Sequence, residues 1–236
     1  MQSKSELFDE ILRSRAYSVV TKAVIGGNEY AQDGGLVRAA VYGGLFSKNG
    51  PSVGGCVSRE VQLIIRGGAE LSRTAKIELF SRVELVEQVS EWLPKGVFYI
   101  DTRSVDDVTG VTTLHGYDRL VFGEQIYAPE GDVGEWPRPA DEVVNEITGL
   151  LGLKLDERTV IDPAVMVSYP NENTMREVLG YIAVAHAGNW TVTDAGKLRL
   201  VPLWSIPEYV PESEAEGVLV DQHGDAIVFG EVRILV

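Results

Sequence analysis

Few side chains in this sequence stand in an arrangement suited to chemistry. Three histidines, His115, His186 and His223, are the natural candidates for a general base or a metal ligand. Each lacks the company such work needs: there is no H-E-x-x-H, no G-x-S-x-G and no Cys/His pair at ligand spacing. His115 falls in a predicted strand, His223 in a turn, and His186 late in a predicted helix, where the helix dipole favours a structural histidine. Carboxylates gather at Asp106-Asp107 and at Glu212, Glu214 and Glu216. A glycosidase needs two acids held in different environments, and polar loops supply only solvated ones. Trp92, Trp136, Trp190 and Trp204 could stack on sugars, yet corners and helix exits are ordinary places for a structural tryptophan. The one cysteine, Cys56, has no partner for a disulfide and falls far short of a four-ligand zinc site. The glycine pairs Gly34-Gly35 and Gly43-Gly44 match no phosphate-binding fingerprint and read as turns. The expectation is a chain with no catalytic residue, no metal site and no cofactor, hence not an enzyme.

Composition narrows the class. With 236 residues, 44% of them hydrophobic, and a mean hydropathy of +0.01, the chain can bury a sizeable core and reads as globular. No apolar run approaches the roughly 20 residues of a membrane span, and the N-terminal residues lack the apolar centre of a signal peptide. No membrane span is expected, and the protein should be made in a cytoplasm or packed into a particle there. The formal net charge of −14 argues against a conventional nucleic-acid binder, whose affinity comes from lysine and arginine on phosphates. The charge is uneven. Residues 1–123 carry 14 basic and 15 acidic side chains, and residues 124–236 carry 7 and 20.

The elements that would position any site are strands first. Leu7, Phe8, Ile11 and Leu12 form one stripe of a short starter helix, with acids early and Arg13 late. Tyr17 to Ile25 is β-rich, and Gly26-Gly27-Asn28 turns the chain toward Glu29-Tyr30. In Leu36 to Tyr42, Val37, Ala39 and Val41 alternate with Arg38, Ala40 and Tyr42. Val57–Ile65 and Ala75–Val83 are the clearest strands; in the second, Ala75, Ile77, Leu79 and Ser81 share a face. Trp92 to Gly96 reads as a turn-rich corner, because Pro94 fixes its φ and Gly96 tolerates a positive one. Val97 to Ile100 and Val111 to His115 then form a hairpin across a polar loop, Asp101 to Gly110. Gly116 turns the chain and Asp118 can cap the short stretch that follows. Together these strands make a mostly antiparallel sheet long enough to close into a barrel, which removes exposed edges.

Beyond Tyr127 the text changes. A Pro/Gly-rich connection, Ala128 to Pro139, leads into a helix with Val143, Val144, Ile147 and Leu150 or Leu151 on its buried stripe, ended by Gly149 or Gly152. Leu153-Lys154-Leu155 is a brief strand. Thr174 to Glu177 is a capping box opening a second helix, with Met175, Val178, Leu179, Ile182 and Ala183 inward and Gly188 as its stop. Trp190–Thr193 and Lys197–Val201 form a hairpin. After an acidic link, Pro207 to Gly217, the stretches Val218–Val220 and Ala226–Phe229 look like a hairpin, and Glu231–Val236 like a further strand.

The run Trp92-x-Pro94-x-Gly96, the Phe98 to Ile100 strand, the Val111 to Thr113 strand and Tyr117-Asp118 resemble, in that order, the first tube-forming domain of the tail hub (baseplate hub) proteins of long-tailed bacteriophages and prophages. The likeness continues through Gly152-Leu153, Thr174 to Leu179, Ile182-Ala183, Gly188 to Trp190 and Gly196 to Leu200, which resemble that family's insert domain. None of these residues does chemistry, so the match lies in their being found together and in sequence.

The resemblance implies an α+β chain: a mainly antiparallel β-barrel tube-type domain over 1–127, a small α/β domain with two helices and a hairpin over 128–203, and a linker with the start of a second barrel over 204–236. A second barrel of that family needs many more residues, so either the chain is cut short or it is a short relative using one barrel. The implied role is structural: a hub of the tail tip that self-associates, as a trimer or ring, to continue the tail tube. Implied partners are copies of itself, the tail tube and distal tail proteins, the tape-measure protein, and DNA passing without specific binding during ejection. The implied location is the virion tail, assembled in the host cytoplasm. Two other readings stand beside it: the anchoring part of a tail-associated lysin or peptidase whose catalytic module lies outside this chain, and a glycan-binding β-protein, which requires clustered exposed tryptophans.

Overall fold

The computed structural model describes residues 4–14, 16–46, 50–68, 70–72, 74–129, 133–203, 228–229 and 232–233. The chain divides into two units, Met1–Leu203 and Trp204–Val236. In the second, a pair of two-residue strands, Val228–Phe229 and Val232–Arg233, is antiparallel. Trp204, Glu212, Glu214, Glu216, His223 and the expected strand Val218–Val220 lie outside the described residues.

The first unit begins with α1 (Glu6–Arg13), which starts where the Ser5 hydroxyl accepts from the Phe8 N–H at 3.1 Å and buries Ile11. Eight strands then form one sheet: β1 (Ser18–Ile25), β2 (Asn28–Ala31), β3 (Leu36–Tyr42), β4 (Glu60–Arg66), β5 (Lys76–Leu85), β6 (Gln88–Val89), β7 (Leu93–Asp106) and β8 (Val111–Tyr117). Their order is β2-β1-β5-β7-β8-β4-β3, with β6 on β5, and every pairing is antiparallel. Among the described residues no ladder joins the end strands β2 and β3. One face of this sheet buries a single apolar cluster that includes Ile25, Leu63, Ile77, Phe98 and Leu114. The alternation expected in β5 is present, with Ile77, Leu79, Ser81 and Val83 buried in turn.

Three local expectations are corrected by the sheet. The Trp92 to Gly96 corner lies largely within β7, where the pairing slips: Gly96 faces Leu79, Pro94 faces Phe80, and Lys95 is the extra residue of a bulge. Gly96 sits at φ 143° and a Cβ there would meet the Phe98 ring at 2.4 Å, so the bulge needs glycine. Pro94 stands beside this bulge, a position in a sheet where proline is tolerated. The polar run expected as a loop from Asp101 is strand as far as Asp106, paired with β8; only Asp107–Gly110 turns. Polar side chains misled here because the backbone bonds, not burial, hold this arm. Val37 does not share the inner face with Ala39 and Val41: a slip between Leu36 and Arg38 turns it outward.

The remainder of the unit carries β9 (Arg138–Pro139), α2 (Ala140–Leu150), β10 (Lys154–Leu155), β11 (Met166–Val167), α3 (Met175–Ala185), β12 (Gly188–Val192) and β13 (Lys197–Pro202). Strand β13 is central, antiparallel to β12 and parallel to β10, while β9 pairs with β11. On α2 the buried stripe is Val143, Val144 and Ile147; Leu151 continues it, whereas Leu150 is exposed, and Gly152 takes φ +62° just beyond. The capping box of α3 forms as expected, Thr174 and Glu177 each satisfying the other's backbone N–H. The helix stops earlier than Gly188, at Ala185, with the positive φ at Ala187. Gly188 belongs to β12, where a Cβ would lie 2.8 Å from the Val201 carbonyl oxygen. These elements bury a second apolar cluster around Val143, Ile147, Leu179, Ile182 and Trp190, to which Cys56, Leu120 and Tyr127 contribute from the first half of the chain.

Candidate functional site

The candidate catalytic side chains are scattered. His115 on β8 has its Nδ1 3.3 Å from Glu60 Oε1 and its Nε2 3.4 Å from Gln62 Nε2, a contact on the sheet between neighbouring strands. His186 caps α3: its Nε2 accepts from the Asp162 N–H at 2.9 Å, so its Nδ1 carries the proton and donates to the Ile182 carbonyl at 2.8 Å. Asp106 accepts from the Val108 and Thr109 N–H groups and closes the β7–β8 turn; these bonds, and the Thr109 side chain first among them, hold its carboxyl below the usual carboxylate range. Trp190 is fully buried and its Nε1 donates to the Leu179 carbonyl at 2.7 Å. Trp92 lies between Lys22 and Arg82, at 4.7 and 4.4 Å, and Trp136 packs edge-on against Tyr169. These three tryptophans form no exposed cluster. Cys56 is buried, which pushes its thiol up to about 12. Among the described residues no group of three or more His, Cys, Asp or Glu side chains could hold a metal ion.

What the fold does bring together is part of the motif set, Asp118, Arg176 and Gly188 to Trp190, on one segment, Gly54 to Arg59. This strap leads into β4 and is gripped from three sides. From β12, the Gly188 carbonyl accepts from the Gly54 N–H at 2.9 Å and the Trp190 N–H donates to the Gly55 carbonyl at 2.7 Å. Asn189, fully buried, accepts from the Gly55 N–H at 2.6 Å and donates to the carbonyls of Leu45 and Ser52 at 3.0 and 2.7 Å. From α3, Arg176 Nε donates to the Cys56 carbonyl at 2.8 Å, and its Nη1 pairs with Glu124. Gly180 and Gly54 are small for a reason: a Cβ on Gly54 would meet Val184 at 2.4 Å, and one on Gly180 the Gly54 carbonyl at 3.0 Å.

The third grip is Asp118, at the Tyr117-Asp118 exit of β8. It accepts from the Ser58 hydroxyl at 2.8 Å, the Arg59 N–H at 2.9 Å and the Leu120 N–H at 3.0 Å, the last capping the 3-10 turn Arg119–Glu124. Burial raises its pKa despite those three bonds, which act to lower it. Arg59 completes the junction. Its Nη1 pairs with Asp194 at 2.8 Å and its Nη2 donates at 2.9 Å to the carbonyl of Lys95, the residue the β7 bulge turns out. The corner, the Tyr-Asp exit and the Gly-Asn-Trp turn therefore meet on one strap.

Two grooves border the junction. One, of about 430 Å³, runs along α3 beside Val53, Gly54, Tyr181 and Val184. The other, of about 820 Å³, is lined by Arg59, Asp194, Asp156, Arg158, Glu157 and Lys197. Six of its charges pair off, Arg59 with Asp194, Arg158 with Asp156 at 2.7 Å, and Lys197 with Glu157, while Arg199 also lines it. The Arg158 guanidinium holds Asp156 at a pKa of about 2. Arg59 and Ser58 were not singled out by type or spacing, and Asn189 only as part of the Gly188 to Trp190 match; the long separations they span give them meaning.

No protein-family model matches the sequence, and no curated protein does. Similar solved structures include three tail proteins. The tail protein from Neisseria meningitidis MC58 shares 15% identity at a TM-score of 0.48, over 81% of this chain and 56% of that one. The 43 kDa tail protein of prophage MuSo2 from Shewanella oneidensis shares 13% at 0.49, over 81% and 56%. The prophage tail protein gp18 from Listeria monocytogenes EGD-e shares 11% at 0.44, over 88% and 64%. The chain spans less than two thirds of each of these relatives.

Proposed function

We propose that this chain is a structural component of a phage or prophage tail, a hub at the tail tip or baseplate that self-associates into a ring and continues the tail tube. In this reading residues 1–127 form a tube-type β-barrel, 128–203 an α/β insert, and 204–236 a linker with the beginning of a second barrel. The observation that carries it is the strap. Some of the residues on which the hub resemblance rests, Asp118, Arg176 and Gly188 to Trp190, fasten Gly54 to Arg59 in place, and the Lys95 carbonyl inside the Trp92–Gly96 corner accepts from Arg59.

The chemistry of those contacts suits a scaffold. Each is a hydrogen bond or ion pair used up inside the chain, so the junction fixes the geometry of the unit and leaves its work to its surfaces. No side chain performs a reaction. Copies join one another and the tail tube and distal tail proteins, the tape-measure protein occupies the opening, and DNA passes through it without specific binding, the acidic balance of the chain disfavouring adhesion. Rings follow when head-to-tail interfaces close on themselves.

The location is tested by purifying tail particles from cells that carry this coding sequence with an epitope tag, and labelling them for electron microscopy. Gold at the tail tip is the expected result. Tagged protein found only in soluble extract, with unlabelled tails, would overturn the reading.

A further inference from the structure

The acidic half of the chain spends its few bases unevenly. Residues 124–236 carry 7 basic side chains against 20 acidic ones, and Arg158, Lys197 and Arg199 from that small set line the groove of about 820 Å³, where Arg59 joins them. Lys197 and Arg199 stand two apart on β13, so they share one face, while Leu198 and Leu200 between and beyond them are buried on the other. Thr191 lies directly opposite Arg199 in the ladder with β12 and also lines the groove.

Matching these bases to the acids leaves one over. Asp156, its side chain 5% exposed, has both oxygens occupied by Arg158, Oδ1 by Nε at 2.7 Å and Oδ2 by Nη2 at 2.8 Å. Asp194 pairs with Arg59. Glu157, its side chain 77% exposed, pairs with Lys197, a surface contact that solvent weakens. Arg199 has no carboxylate of its own: among the described residues it makes no ion pair, and its Nε is buried without a hydrogen-bond partner. A buried donor left unmade costs free energy, and a guanidinium in that state on a groove wall is a charge held ready for an anion.

We infer that this groove binds a single carboxylate carried on an extended peptide, with Arg199 as its charge partner, Thr191 offering a hydroxyl beside it and Lys197 shared with Glu157. The count of charges selects the ligand. Four bases against three acids leave one positive charge, enough for one carboxylate, whereas the three carboxylates already in place repel a run of phosphates or an acidic tract. The planar fork of arginine suits a carboxylate, and Arg158 on Asp156 shows that geometry in the same groove. The volume falls within the roughly 300–1,000 Å³ range of ligand sites. The site lies wholly within the first unit and stands whether or not copies of the chain assemble.

The test follows the Arg199 Nε–H resonance of the full chain by NMR at about 20 mM salt, where screening is weak, as acetyl-Gly-Glu-Gly-amide is added. The inference expects a saturable shift with a dissociation constant of about 1 mM, and none with acetyl-Gly-Gln-Gly-amide. Arg199→Gln, checked for folding by its melting temperature and read through the backbone amide of Thr191, should bind about tenfold more weakly, and Lys76→Gln on β5 as well as wild type. Acetyl-Gly-Gly-Gly with a free carboxylate distinguishes a chain end from a side chain as the source; a shift from either sustains the inference. No shift up to about 20 mM peptide, or equal shifts from the glutamate and glutamine peptides, overturns it without recourse to any variant. Inorganic phosphate binding more tightly than the glutamate peptide overturns the assignment to a carboxylate.

Discussion

Two buried carboxylates, Asp118 and Asp156, act on stability with opposite sign. Asp156 has a folded pKa of about 2, set first by the Arg158 side chain, against an ordinary value of about 3.9. A depressed folded pKa contributes stability that is present above the ordinary value and is lost as pH falls toward the folded one. Asp118 is raised by burial, so it favours the folded chain only where it is protonated, and its contribution fades as pH rises through the ordinary carboxylate range. The two are separable by mutation. The difference in melting temperature between wild type and Asp156→Asn should be constant near neutral pH and shrink as pH drops from about 4 to about 2. A difference that stays the same across that window would mean that the Arg158 pair does not set the acid limb.

At the scale of elements the strap is the decisive feature, and Asn189 is its most exposed point of failure because it alone satisfies three strap and loop groups. Asn189→Ala leaves the Gly55 N–H and two carbonyls without their partner at a half-buried site, and should cost about 2 kcal/mol in urea unfolding. A loss under ~0.5 kcal/mol would place it with ordinary surface substitutions and remove the strap from the account. Much of the element layout was legible in the sequence. Periodicity in β5 and the capping box at Thr174 are local signals, and the chain obeys them locally. What misled were places where a long-range partner decides: the polar run after Ile100 is strand because β8 pairs with it, and Val37 points outward because of a slip in register with β4. The junction was visible only as a list of motif residues. Nothing about Ser58, Arg59 or Asn189 as residue types announces that they span separations of 36 to 144 positions.

For the whole molecule, the structure carries two apolar clusters, one on a face of the sheet and one beneath α2 and α3, within a single unit that ends at Leu203. Three candidate catalytic side chains are engaged in local contacts: His115 with Glu60, His186 with Asp162, Asp106 with its own turn. The proposed role rests on contacts between copies. Assembly is therefore the property to measure. Light scattering coupled to size exclusion on the full-length chain, with negative-stain images of the peak, tests this most directly. The account predicts a closed ring of like copies around an open centre, its mass a whole multiple of 25.8 kDa. A single 25.8 kDa species persisting across the accessible concentration range would contradict it.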